Sequence, residues 1–224
     1  LDAAPPVSTV LPLPAESGRT FLVNWIGQDD PGGSGVASCD VYVSGDGVNF
    51  TRWLERTNCN SAYFVGELGQ TYWFYSVSRD WVGHEEPLPT VAQAQTTVAS
   101  NAPVLTVLSH LVLGPGQPSE WTNTVLGVTA GPLEFRLGAD TPYGASINPT
   151  NGVFSWTPDC SQGSTTNLIT VWLTDHGRGM MDATSFQIVV RECVRPTLGQ
   201  LVMRAGDRGQ LPVYLLTTVP LMDL

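Results

Sequence analysis

The stretch "INPTNGVFSWTPDCSQG", residues 147–163, decides how this chain is read. Pro149, the Asn151-Gly152 pair and Pro158 crowd around the four residues Val153–Trp156. Asn-Gly favours a tight turn, because glycine takes positive φ at little cost. The segment VFSW is β-branched and aromatic, which suits a strand. Pro158 removes a backbone donor and ends the ladder. A very short strand pinned between turns is therefore expected, with Phe154 and Trp156 two residues apart on one face and filling a core. A sugar-stacking role for an exposed Trp156 is the alternative reading of the same residues.

Outward from this point the pattern repeats. The 224 residues include 23 glycines and 17 prolines, which fall between short apolar runs, and no useful amphipathic helical stretch is present. The hydrophobic fraction of 42% supports real cores. The fold class read from this is all-β, with two tandem β-sandwiches and a C-terminal hairpin-like tail.

The first unit is expected over residues 5–98. Phe21, Val23 and Trp25 alternate onto one face of "FLVNW", and "CDVYVS", "FTRWLE", "SAYFVG", "TYWFYSVSRD" and "AQAQTTV" follow. In the longest of these, Tyr72 and Phe74 are expected inward, with Trp73 and Tyr75 on the partly covered outer face. "SNAPVL", residues 100–105, reads as a short, stiff joint, because Pro103 holds Ala102 extended. The second unit is expected over residues 103–192, with strands in "VLTVLS", "SEWTNTVLG", "LEFRLG", "GVFSW", "TNLITVWLTD" and "TSFQIVVRE". Residues 197–224 form the tail. Its segments "QLVMRAG" and "QLPVYLLTT", joined at "DRG", would leave Leu201, Met203, Val213 and Leu215 without cover, because an isolated hairpin is marginal.

The charge balance excludes whole classes of partner. The formal net charge is −10, both halves of the chain are acidic, and lysine is absent. Nucleic acid and anionic membrane surfaces need a basic face, so neither is an expected partner. No apolar run reaches transmembrane length. Leu1 in place of an initiator methionine suggests a piece of a longer secreted precursor.

Four cysteines, Cys39, Cys59, Cys160 and Cys193, allow three pairings. Two fall on each side of the expected boundary, so Cys39–Cys59 and Cys160–Cys193 is the economical choice. Disulfides imply an oxidising compartment, hence an extracellular or cell-surface location. Close metal-type spacing such as CxxC is missing.

The first unit resembles bacterial fibronectin type III-like or immunoglobulin-like modules through "FLVNWIGQDDPGGSGVASCDVYVSGDGVNFTRW" and "TYWFYSVSRDWVGHEE". The resemblance places Tyr72 at the family's strand-F tyrosine, and His84 where an asparagine is usual. The second unit resembles the putative-Ig, cadherin-like repeats of large bacterial surface proteins through "GASINPTNGVFSWTP" and "ITVWLTDHG". Calcium-binding relatives carry an acidic run where this chain has "GVTAGPLEF", residues 127–135, so Asp175 and Asp140 are not expected to hold calcium. The tail resembles the opening strands of cohesin-like domains through "MRAGDRGQLPVYLLTT". What these resemblances imply is a surface, matrix or filament protein, or the spacer part of a secreted enzyme.

Chemistry-bearing residues are few. His84, His110 and His176 lie in no nucleophile-elbow context, and the chain is not expected to be an enzyme. The carboxylate pairs Asp29-Asp30 and Glu85-Glu86 read either as glycosidase-like pairs or as solvated turns. No cofactor is expected, and calcium is the alternative, with Asp29, Asp30, Asp46 and Asp80 the best oxygen-ligand combination. Trp53, Trp73 and Trp81 are the candidates for a contact surface toward a protein or a carbohydrate. The expected function is a non-catalytic structural or adhesive component of an extracellular assembly, meeting other copies of itself or further domains. The alternatives are a spacer or carbohydrate-binding region of a larger secreted enzyme, and a calcium-dependent adhesin.

Overall fold

The computed structural model describes residues 2–106, 110–199 and 208–217. Its strands are short, and turns follow the glycines and prolines. Those of the first module are β1 (Val7–Val10), β2 (Glu16–Ser17), β3 (Thr20–Gln28), β4 (Val36–Ser44), β5 (Thr51–Thr57), β6 (Ser61–Val65), β7 (Thr71–Asp80) and β8 (Ala94–Val98). They form two layers. β1 and β6 flank β3 in antiparallel register, with Val10 opposite Trp25 and Phe21 opposite Phe64. The facing layer runs β2-β8-β7-β4-β5, with β2 parallel to β8 and the rest antiparallel. The opening segment thus serves both layers, β1 in one and β2 in the other.

Alternation sets this core. Phe21, Val23 and Trp25 point inward from β3 and meet Val41, Phe74 and Val98 from the facing layer. Tyr72 and Phe74 face in as expected; the Tyr72 hydroxyl accepts the Glu67 N–H at 3.0 Å, which is the tyrosine-corner arrangement. Tyr75 is buried on the outer face, stacked on Tyr42 with ring centroids 4.8 Å apart and flanked by Phe50.

The remaining strands are β9 (Val104–Thr106), β10 (His110–Leu113), β11 (Ser119–Thr122), β12 (Thr124–Leu126), β13 (Leu133–Leu137), β14 (Ser146–Ile147), β15 (Val153–Trp156), β16 (Thr165–Asp175), β17 (Met180–Val190), β18 (Val194–Leu198) and β19 (Val213–Thr217). β15 lies between β11 and β14, while β13, β16, β17 and β10 make the other layer, with β10 parallel to β17. "SEWTNTVLG" is two strands rather than one. Asn123 divides them, its side chain buried and donating to the Gly152 carbonyl at 2.7 Å.

Phe154 and Trp156 are core residues. Phe154 stacks on Trp121 at 4.3 Å and meets Phe186 edge-on, and Trp156 donates its indole N–H to the Tyr143 carbonyl. The turn before them is a four-residue loop. Asn148 and Val153 bound it, Gly152 takes φ +69°, and Asn151 keeps negative φ. A Cβ on Gly152 would lie 2.8 Å from the Phe135 ring, so packing as well as φ demands glycine there. Cys160 and Cys193 are bonded, closing a loop of 33 residues with Cα atoms 5.2 Å apart.

Contacts group the chain into two compact units: residues 1–104, 125–133 and 173–183 in one, the remainder in the other. Within the first, Arg19 meets Asp182 at 2.7 Å, and Thr20 pairs with Met181.

Candidate functional site

The four aspartates expected to gather do not all meet. Asp46 is spent on its own turn. Its Oδ1 accepts the N–H groups of Val48 and Asn49 and the Ser44 hydroxyl, and its Oδ2 accepts the Asn49 amide. The Asn49 and Val48 hydrogen bonds hold its carboxyl well below the usual carboxylate range. Asp46 therefore leaves the expected set as a hairpin-turn residue.

Asp29, Asp30 and Asp80 do lie at one end of the first sandwich, and Asp2 stands among them. One ligand atom from each of Asp2, Asp29 and Asp30 falls within 4.8 Å of the others, and the same holds for Asp2, Asp80 and His84. Local structure explains the positions. Asp29 opens the turn after β3, its Oδ1 taking the Asp30 N–H and its Oδ2 the Gly35 N–H. Asp80 ends β7, fully buried, and its Oδ1 accepts three successive N–H groups from Val82, Gly83 and His84. Its Oδ2 receives the His84 Nδ1–H at 2.9 Å. Sequence reasoning missed Asp2. The signal was present in the strand register: Val7 pairs with Gln28, so residues before 7 run alongside residues after 28. The Ser34 N–H accordingly reaches Asp2 Oδ2 at 2.7 Å.

The carboxylate pair Glu85-Glu86 divides into two structural roles. Glu86 accepts the N–H and hydroxyl of both Ser8 and Ser78, and Glu85 pairs with Arg79. Asp175 is likewise buried in a turn, accepting the N–H groups of Ala130 and Gly177.

The tryptophans do not form a row. Trp53 is half-buried and packs against the first core, edge-on to Phe64 at 5.2 Å. It lies on the inward parity of β5 beside Leu54, where register shifts between β4 and β5 break strict alternation. Trp73 is half-buried over Gly47, and Trp81 is 73% exposed.

Cys39 and Cys59 are unbonded, which corrects the pairing expected for the first module. Cys39 is buried on β4 opposite Thr57, while Cys59 sits exposed two residues beyond, its N–H held by the Thr57 hydroxyl. Both line a cavity of about 370 Å³ together with Trp25 and Trp81. Burial, then the charges of Glu86 and Asp40, push the Cys39 thiol up to about 11.

In the tail, β19 pairs antiparallel with β18, Val213 opposite Leu198. The partner strand is thus "VRPTL", not the expected "QLVMRAG". Leu201 and Met203 lie outside the described residues, and of Leu215 only its backbone pairing with Pro196 is described. A two-stranded ribbon leaves half its N–H groups unpaired, so Pro196 costs it little. Val194, Leu198, Val213 and Tyr214 are each more than half exposed.

No protein-family model matches the chain, and no curated protein matches it. Among solved structures, the chain is similar to the Clostridium thermocellum CbhA fibronectin(III)-like modules, at 14% identity and TM-score 0.30, covering 83% of this chain and 94% of that one. It is also similar to Drosophila N-cadherin EC1-4, at 14% identity and TM-score 0.38, covering 89% of this chain and about half (54%) of that one. A third likeness, to Sidekick-1 immunoglobulin domains 1–5, has 13% identity and TM-score 0.31 over 89% of this chain and 42% of that one. These are distant likenesses, and the reading of function rests on the chain's own residues.

Proposed function

We propose that this chain is a non-catalytic structural or adhesive part of an extracellular or cell-surface assembly, and that it joins a second copy of itself through the C-terminal ribbon. The observation that carries this reading is the ribbon itself. Among the described residues β18 and β19 make a two-stranded sheet of their own, on which Val194, Leu198 and Val213 are more than half exposed. A ribbon of this kind offers ladder edges to another strand, and covering its half-exposed apolar side chains is worth roughly 1 kcal/mol each. The disulfide Cys160–Cys193 supports an oxidising location. Stiff sandwiches with satisfied turn carboxylates suit a mechanical role, in which no bond is made or broken.

A carbohydrate-binding role in a larger secreted enzyme is the rival. It asks for a planar aromatic row, and Trp53, half-buried against the first core, presents only part of its ring. Light scattering of the full chain and of a chain ending at Cys193 separates the readings. The full chain should be a dimer or larger and the shortened chain a monomer; equal masses would reject the ribbon as the joining element.

A further inference from the structure

We propose that the cavity beside Cys39 in the first sandwich is a binding pocket for one neutral sugar residue, the end of a saccharide chain. Its origin lies in the alternation of β3. Phe21, Val23 and Trp25 fill successive inward positions, and the next one along is Gly27. A Cβ on Gly27 would meet the Val36 methyls at 3.2 and 3.3 Å and the Cys39 Sγ at 3.5 Å, so this position faces β4 with no side chain to fill the gap. The side chains that β4 brings to the lining, Ala37 and Cys39 among them, are small as well. The neighbouring strands stop at the same level. Asn60, just before β6, accepts the Trp25 N–H, and Thr57, opposite Cys39, is the last residue of β5. A cavity of about 370 Å³ remains, within the range of small-molecule sites.

The wall of this cavity carries an unanswered donor. Trp25 lines it, is 1% exposed, and has its indole N–H buried without an acceptor. A buried indole N–H ordinarily finds a partner, and leaving it without one is unfavourable. An oxygen on a ligand would satisfy it. The rest of the lining sets the ligand's chemistry. None of the twelve lining residues is charged, in a chain with 20 acidic and 10 basic side chains. Thr57, Asn58 and Asn60 bring a hydroxyl and two amides, groups that both donate and accept, as sugar hydroxyls do. Trp81, 73% exposed, offers a ring face to the C–H side of a sugar, and its backbone N–H is fixed to the Gly35 carbonyl at 3.2 Å. The charges of Glu86 and Asp40 already act on the Cys39 thiol, so an anionic ligand is disfavoured. A chain end held in a cavity needs no planar row of rings. The site is independent of the ribbon, since all its lining lies between residues 25 and 81.

The probes are the methyl glycosides of glucose, galactose, mannose and N-acetylglucosamine, added to the native full chain. Cys59, exposed and part of the lining, is one reporter, and the Trp25 indole is the other. At least one glycoside should slow alkylation of Cys59 by iodoacetamide about threefold or more, because a bound ligand restricts access to the thiolate. The same glycoside should move the Trp25 indole N–H resonance downfield as that donor gains an acceptor. Trp81→Ala, at an exposed position that leaves packing intact, should weaken binding about fivefold or more. Gly27→Leu, at a backbone position without positive φ, should fill the gap and abolish both signals. The assignment is overturned if no glycoside protects Cys59 or moves the Trp25 resonance, which is the result for a cavity that holds water alone. It is equally overturned if toluene moves that resonance and no glycoside does, or if Trp81→Ala and Gly27→Leu both bind as the unmodified chain does.

Discussion

Phe154 shows how much one residue carries. It is fully buried, stacked on Trp121 and edge-on to Phe186. Phe154→Ala should cost about 3–5 kcal/mol, the range for an aromatic removed from a packed core. Urea unfolding followed by tryptophan fluorescence would measure it, and a loss under about 1 kcal/mol would place Phe154 outside the cooperative core. The two unbonded cysteines make a second test at this scale. Cys59 is exposed, while Cys39 is buried with its thiol pushed up to about 11. A thiol reagent at about pH 8 meets thiolate in proportion to the gap between pH and pKa, so the native chain should label at Cys59 alone. The denatured chain should label at both. A denatured, unreduced chain that labels at neither would mean that Cys39 and Cys59 are joined after all.

At the scale of elements, side chains complete what the ladders leave open. β1 pairs with β3 on one side only. Its other N–H groups are taken by side chains from the segment after β7: Ser8 by Glu86 and Val10 by Gln93, whose amide returns to the Ser8 carbonyl. Glu86 also takes the N–H and hydroxyl of Ser78, so one carboxylate ties β1 to β7. Glu86→Ala should therefore cost about 2–3 kcal/mol by stranding buried donors, and amide exchange at Ser8 and Ser78 should quicken. Unchanged exchange at both amides would contradict this staple. None of it was legible in "HEEPLPTV", which looks like solvated loop, or in Gln93, which lies in a stretch read as a strand. Period-two alternation was legible, and it placed Phe21, Val23, Trp25, Phe74 and Phe154 correctly because burial of one face leaves a local signature. The candidate site was half legible. Asp29, Asp30 and Asp80 announce themselves as turn carboxylates, but the meeting of Asp2 with them depends on register between distant strands.

Across the whole molecule, long-range staples matter more than any strand. The Cys160–Cys193 bridge closes a loop of 33 residues and should contribute about 3–4 kcal/mol through the unfolded chain. Arg19 and Asp182 form the other, 163 residues apart in sequence yet within one compact unit. Asp182 is fully buried, and Arg19 is only partly exposed, donating Nε–H to Asp182 Oδ1 and a second N–H to the Ala183 carbonyl. Thr20 adds its hydroxyl at 3.4 Å and receives the Ala183 N–H. A buried carboxylate is tolerated because a guanidinium neutralises it; without that partner the charge remains and hydrogen bonds alone must offset its desolvation. Arg19→Ala should thus destabilise by about 3 kcal/mol, more than an exposed ion pair could account for. Arg19→Lys should recover part of this, since an ammonium restores charge but not the fixed fork reaching two acceptors. The double substitution Arg19→Met with Asp182→Leu removes both charges, so it should be less damaging than Arg19→Ala. Thermal unfolding of the three variants in low and high salt decides the matter. A loss for Arg19→Ala that vanishes in high salt would show a screened surface pair, and the buried-charge account would fall.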